Sequence, residues 1–278
     1  MNILPAIIFL LFLAFGQASG QSFQVVSYNI RYNNPEDGID NWDKRRETVA
    51  ETIFQLENDI IGLQEVLYGQ LVYLQNRPEA INYESWGQGR DDGEYAGEFS
   101  PILFNINKFT RYQGEMKWLS ETPDTPSTGW DAACRRIVTI AHLLCRENGA
   151  RVTVLNTHFD HQGKVARENS VKIIAELVRK YKANGNAVVV LGDFNTTPRD
   201  PILKPFKDLL KDACPRKWRR KSTFNAFKEK AVRRKHIDYI WYSPKDFESS
   251  NYVIQSPKTN AGRQASDHYL VKATLKFH

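Results

Sequence analysis

Short runs of Val, Ile and Leu recur along the chain, each stopped by polar or turn-forming residues, and predict buried strands. They lie in "FQVVSYNIRYN", "DIIGLQEV", "FSPILFN", "MKWLSET", "RRIVTIAHLLCR", "ARVTVLNTHFD", "NAVVVLGDFN", "HIDYIWYS", "NYVIQSP" and "SDHYLVKATLKF". The turn "ENGA" between two of these runs predicts a hairpin. Helical spacing is confined to three places. In "NWDKRRETVAETIFQLEND" the positions Val49, Ile53 and Leu56 share one face, with Asp40 or Asn41 as the cap. "GQLVYLQNR" is a shorter helix, and "KVARENSVKIIAELVRKYKANG" is an amphipathic one that ends at Gly185. Strands outnumber helices and several neighbours read as antiparallel. This predicts an α/β fold in which packed sheets carry helices on their outer faces. No internal repeat, low-complexity tract or linker divides residues 21–278, so one domain is expected.

The polar residues that end these strands are unusual. In "AVVVLGDFNTTPRD" a buried run stops in Asp193 and Asn195. An Asx turn would explain that segment alone. The same design recurs, however, at Ser27-Tyr28-Asn29, Gln64-Glu65, Asn156-Thr157-His158, Asp238 and Asp267-His268. A buried charge is costly unless it is paired, hydrogen-bonded or bound to a metal. Six strand ends of this kind point to one shared polar rim. Glu and Asp suit a hard divalent cation, and His and carboxamide groups suit phosphate oxygens. Together they are the inventory for metal-assisted hydrolysis of a phosphoester. The Cys/His spacing of a structural zinc site is absent, as is a GxxxxGK[ST] phosphate loop.

Composition changes this picture at three points. Residues Ile3 to Phe15 form an apolar run followed by Gly16-Gln17-Ala18-Ser19-Gly20. The run is too short to span a bilayer and reads as a secretory leader over residues 1–20, placing the protein outside the cytoplasm, secreted or periplasmic. No other segment is long and apolar enough to be a membrane span. Three cysteines are few; Cys134 and Cys145 read as too far apart on one strand to bond, so free thiols are expected. Finally, Cys214 to His236 carries ten Lys and Arg against one Glu, more than the whole chain's net of +6, so the remainder is net acidic. Interleaved with Trp218, Phe224 and Phe227, this segment could meet a polyanion such as nucleic acid; a solvated loop is the alternative.

The ordered set "SYNIR", "GLQEV", "NTHFDH", "LGDFN", "HIDYI" and "SDH" resembles the endonuclease/exonuclease/phosphatase (DNase I-like) superfamily over nearly the whole chain. "NWDKRR", "GRDDGEYAGEFSPI", "WLSETP" and "GWDAA" are similar to its small secreted bacterial branch, which resembles the deadenylase-like members. The resemblance implies a four-layer sandwich of two mostly antiparallel sheets flanked by helices, with the site at one rim. It implies Mg²⁺ (or Mn²⁺) held by Glu65, with Asn29 and Asp267 completing the metal neighbourhood. It implies that Asp193 orients or deprotonates the attacking water and that Asn195 and His158 contact phosphate. His268 would polarise the phosphate, its ring held by Asp238. His161, Arg167, Glu98 and Ser100 are secondary candidates for substrate contact. The expected activity is that of a monomeric phosphodiesterase or nuclease. A phosphatase for a small, sugar- or lipid-linked phosphate is the alternative, and a non-catalytic binding module the remote one.

Overall fold

The computed structural model describes residues 21–54 and 58–278. The segment 1–20, expected to be a leader, and Leu56 lie outside the described residues. Elements follow in the order β1 (Ser22–Asn29), α1 (Trp42–Phe54), β2 (Asn58–Gln64), α2 (Tyr68–Gln75), β3 (Tyr83–Trp86), β4 (Ile102–Asn105), β5 (Phe109–Trp118) and β6 (Ile137–Cys145). The chain continues through β7 (Arg151–His158), α3 (Lys164–Ala183), β8 (Ala187–Asp193), α4 (Lys204–Leu209), β9 (Lys211–Asp212), β10 (Asp238–Tyr242), β11 (Phe247–Gln255) and β12 (Leu270–Phe277). Among the described residues the strands form two six-stranded sheets, ordered β11-β12-β1-β2-β4-β3 and β5-β6-β7-β8-β10-β9. Most pairs are antiparallel, including the β6–β7 hairpin, but β1–β2 and β7–β8 are parallel.

The continuous apolar runs are explained by burial on both faces. In β1, Val25 enters the core between the sheets and Val26 the layer under α1 and α2. In β8, Val189 and Leu191 face the other sheet while Val188 and Val190 pack under α3 and α4. Helices α1, α2 and α3 form where the pattern placed them, whereas the short α4 was not expected. Asn41 Oδ1 accepts from the Lys44 N–H (3.3 Å), so of the two candidate caps it is Asn41 that starts α1. Gly185, at φ +76°, follows α3 in the left-handed region. Trp42, at the start of α1, is a packing residue in this outer layer. One expectation needs correction, and one strand was missed. Cys134 does not lie on a strand with Cys145 but precedes β6, although all three cysteines are free. The short edge strand β3 has no fully buried position, and so lacked the apolar run that marked the others.

Register explains how one rim collects the polar ends. The parallel strands β1 and β2, and β7 and β8, deliver their C-terminal ends to the same side. Antiparallel β10 begins there, with Asp238 opposite Asp193, and β12 begins beside the end of β1, with Val271 opposite Ser27.

A polar clasp joins the two sheets just below this rim. Buried Asn156 on β7 donates Nδ2 to Leu63 O (2.7 Å) and Pro101 O (2.9 Å), and its Oδ1 accepts from Gln64 Nε2 (2.7 Å). Gly62 makes room for it: a Cβ there would lie 2.7 Å from Asn156 Oδ1. Gly192 is needed for two reasons, its φ of +148° and a hypothetical Cβ only 2.1 Å from Thr157 O. Asn156→Ala should therefore remove three buried hydrogen bonds that cross between the sheets and lower unfolding stability by roughly 2–4 kcal/mol in urea titration. A loss within about 0.5 kcal/mol would show that the clasp is not what joins the sheets.

Candidate active site

Asp193, at the end of β8, is the centre of the rim and is almost fully buried. Its Oδ1 accepts from the Asn195 backbone N–H (2.9 Å). Its Oδ2 lies 3.1 Å from Asn29 Nδ2, 3.4 Å from His158 Nε2 and 3.5 Å from His268 Nε2. Burial and then the neighbouring Asp238 charge push its carboxyl up to about 7, against the pull of His268.

His268 is held from behind. Its Nδ1 lies 3.1 and 3.0 Å from the two oxygens of Asp238, itself fully buried. Burial opposes charge on the ring, but Asp238 and Asp193 outweigh it and hold the imidazole well above its ordinary range. These two carboxylates thus favour the charged form of the ring, which turns its Nε2 toward Asp193 Oδ2. His158 is the opposite case. Burial, then Arg136 and Arg90, hold it well below the ordinary range. Its Nε2 accepts from Asn195 Nδ2 (3.0 Å), which leaves the proton on Nδ1, a buried donor with no hydrogen-bond partner 4.0 Å from Glu98 Oε2.

Glu65 and Asp267 form a second group of carboxylates beside the first. Asn29 Nδ2 bridges the two groups, donating to Glu65 Oε1 (2.9 Å) as well as to Asp193. Tyr32 N–H donates to Glu65 Oε2 (3.3 Å), and Arg31 Nη1 lies 3.8 Å from the same oxygen. Burial and the Glu65 charge push Asp267 up to about 6. A pair of neighbouring carboxylates of this kind is a fitting donor set for a hard divalent cation. In this arrangement Asn29 turns its N–H groups, not its oxygen, toward them, so ligation through Oδ1 would need the amide to turn over. The trio Asp193, Asp238 and His268 also brings one ligand atom from each within 4.8 Å and could hold a metal ion. Its internal hydrogen bonds compete for the same lone pairs, so Glu65 and Asp267 are the more open donors. A third cluster, Cys134, Asp160 and His161, is filled by Arg136, whose Nε lies 3.3 Å from Asp160 Oδ2 and Nη2 3.0 Å from His161 Nδ1.

The secondary candidates divide. Glu98 lies against His158 and pairs with Arg90 (2.7 Å). Arg167 is one turn into α3 and donates to Asp160 O (2.8 Å), so it braces the loop after β7. His161 is exposed and beside Arg136, while Ser100 is buried. Asn195 spends its Nδ2 on His158 and Phe159 O (3.0 Å), which makes it an orienting group for His158 in this arrangement. Sequence reasoning missed Arg45 and Arg136, both buried, and the anchoring residues of the basic segment. Within that segment Thr223 Oγ1 accepts from the Ile237 (2.9 Å) and Asp238 (3.1 Å) N–H groups. The Phe224 ring meets His268 edge-on at 4.9 Å, and Asn225 N–H donates to Asp267 O (2.7 Å). The exposed cations at 216–221 and 228–235 therefore flank a stretch docked on the back of the site. Backbone strain collects at the same place: Arg31, Glu65, Asn195, Ala226 and Phe227 are all non-glycine residues with positive φ.

Comparisons with known proteins bear on the family and the fold. A family model described as "Endonuclease/Exonuclease/phosphatase family" matches residues 26–268. A solved family protein from Bacteroides thetaiotaomicron is 31% identical with a TM-score of 0.84, covering 93% of this chain and 99% of that one. A solved mannosyl-6-phosphatase from the same organism is 32% identical with a TM-score of 0.82, covering 92% and 100%. An uncharacterized protein of Acanthamoeba polyphaga mimivirus is 28% identical over 163 residues, 56% of this chain and 59% of the viral protein. The chain thus spans less than two thirds of that relative.

The raised carboxyl of Asp193 has a consequence for stability. A folded-state value of about 7 means that the group's contribution is fully present below the unfolded value near 4 and is lost as pH rises through about 7. Metal-free Asp193→Asn should therefore be more stable than wild type at pH 8, by roughly 1–3 kcal/mol, with the gap closing toward pH 4. A pH-independent difference in chemical denaturation would contradict the assigned environment.

Proposed function

The chain belongs to the endonuclease/exonuclease/phosphatase family, which hydrolyses phosphoester bonds, and from that premise we propose a divalent-metal-dependent phosphodiesterase acting on a polyanionic strand such as single-stranded nucleic acid. The observation that carries the chemistry is the buried line Asp238–His268–Asp193, in which the two carboxylates favour the charged form of His268 and burial raises the Asp193 carboxyl to about 7. Glu65 and Asp267, with Asn29 beside them, would hold Mg²⁺ or Mn²⁺. Such an ion would supply positive charge to offset that building on the phosphoryl oxygens. Asp193 would take a proton from the attacking water as its oxygen bonds to phosphorus and the ester P–O bond breaks. His268 Nε2–H would donate to a phosphoryl oxygen, its ring fixed by Asp238. His158 Nδ1–H, the donor left open by Asn195, would provide a second contact. The apolar leader supports a secreted or periplasmic setting for this activity.

The strand reading rests on the basic segment. Its buried middle is docked against Asp238, His268 and Asp267, and its exposed cations flank that middle in sequence, which supports a phosphate-binding track leading to the site. A second reading, hydrolysis of a sugar phosphate, is favoured by the 32% identity to the mannosyl-6-phosphatase over that protein's whole length.

Two measurements separate these readings. With Mg²⁺, the protein should cleave single-stranded RNA or DNA and bis-p-nitrophenyl phosphate faster than p-nitrophenyl phosphate or mannose 6-phosphate; turnover of monoesters alone would establish the second reading. Neutralising Arg216, Lys217, Arg219, Arg220 and Lys221 should flatten the salt dependence of polynucleotide binding, by roughly 0.7 in log–log slope for each phosphate that is no longer neutralised. An unchanged slope would make the segment a solvated loop.

A further inference from the structure

Arg45 lies on α1 between Lys44 and Arg46, yet it is 1% exposed. Its guanidinium has five N–H groups and meets five backbone carbonyls. Nε donates to Asp40 O (3.0 Å), Nη2 to Arg31 O (2.7 Å) and Tyr32 O (3.2 Å), and Nη1 to Ile30 O and Ala265 O (3.4 Å). The rings of Trp42 and Phe227 lie 5.2 and 5.7 Å from it. These carbonyls are not scattered. Ile30, Arg31 and Tyr32 follow Asn29 directly, and Ala265 stands two residues before Asp267.

Each peptide plane carries an oxygen on one side and an N–H on the other. The plane whose oxygen is Ile30 O carries the Arg31 N–H, which donates to Asn29 Oδ1 (3.0 Å). The plane whose oxygen is Arg31 O carries the Tyr32 N–H, which donates to Glu65 Oε2 (3.3 Å). The plane at Ala265 leads into Ser266, whose Oγ donates to Asn29 O (2.7 Å). Arg45 therefore grips from below the peptide planes that hold Asn29 and Glu65 from above. Arg31 is one of the residues in the left-handed region, a conformation that needs such over-determination.

We propose that Arg45 is the positioning residue of the metal half of the site: it touches neither substrate nor metal, but sets the carboxylate of Glu65 and the segment carrying Asp267 through three gripped peptide planes. This rests on the reading of Glu65 and Asp267 as metal-holding groups. Arg45→Lys retains the charge but offers three donors in place of five. It should keep a cooperative melt and bind Mn²⁺ about tenfold more weakly, read from free Mn²⁺ by electron paramagnetic resonance. Arg46→Lys, on the next position of the helix, should bind as wild type does. Wild-type Mn²⁺ affinity in Arg45→Lys, whatever its melting temperature, overturns the proposal alone. Glu65→Gln binding Mn²⁺ as tightly as wild type overturns the metal reading and this proposal with it. Hydrogen exchange in metal-free wild type keeps the test independent of any variant's folding. The amides of Arg31 and Tyr32 should exchange slowly, and exchange at the rate of exposed loop amides overturns the proposal.

Discussion

Everything at the rim follows from crowding carboxylates out of water. Asp193, Asp238 and Asp267 are buried, and Glu65 stands beside them. Each buried carboxylate would cost several kcal/mol if left unpaired. The protein offsets this with fixed positive charge and dipoles of its own. His268 is locked between Asp238 and Asp193, Asn29 turns its amide N–H groups to two carboxylates, and Arg31 and Arg45 lie behind Glu65 and Asp267. Burial, and then neighbouring carboxylate charge, still holds the Asp193 and Asp267 carboxyls above their ordinary range. A site of this kind favours a divalent cation and disfavours a neutral occupant.

That electrostatic arrangement needs strands from two sheets to end at one place. The parallel pairs β1–β2 and β7–β8 send their ends to the rim, and the antiparallel β10 and β12 start from it. Asn156 ties one sheet to the other directly beneath, in a gap that Gly62 keeps open. The positive-φ residues Glu65 and Asn195 stand where the chain leaves β2 and β8. Core packing, inter-sheet clasp and local strain thus act on the same few ångströms.

Much of this was legible in the sequence for a physical reason. A buried strand that ends in Asp, Asn or His is costly, so the recurrence at Asn29, Glu65, His158, Asp193, Asp238 and Asp267 marked a shared site before any coordinate. What stayed hidden depends on direction rather than residue type. Arg45 and Arg46 read alike, and only the 100° turn between helical neighbours sends one inward and leaves the other beside Asp43. Thr223 and Asn225 vanish inside a run of Lys and Arg, where charge dominates the reading. The resemblance implied a phosphate contact for Asn195, and its contacts to His158 and Phe159 O through Nδ2 could not be read from "GDFN". Asn156 belonged to a motif at the rim but faces the other sheet.

The central claim is that this rim hydrolyses a phosphoester with a divalent cation and His268. The most direct measurement compares wild type and His268→Ala on bis-p-nitrophenyl phosphate, with Mg²⁺, with EDTA, and with Mg²⁺ restored in excess. The account predicts turnover that EDTA abolishes and Mg²⁺ restores, and a kcat lower by about 10²–10⁴ in the variant at unchanged circular dichroism. Turnover indifferent to EDTA, or a folded variant with near wild-type kcat, would contradict it.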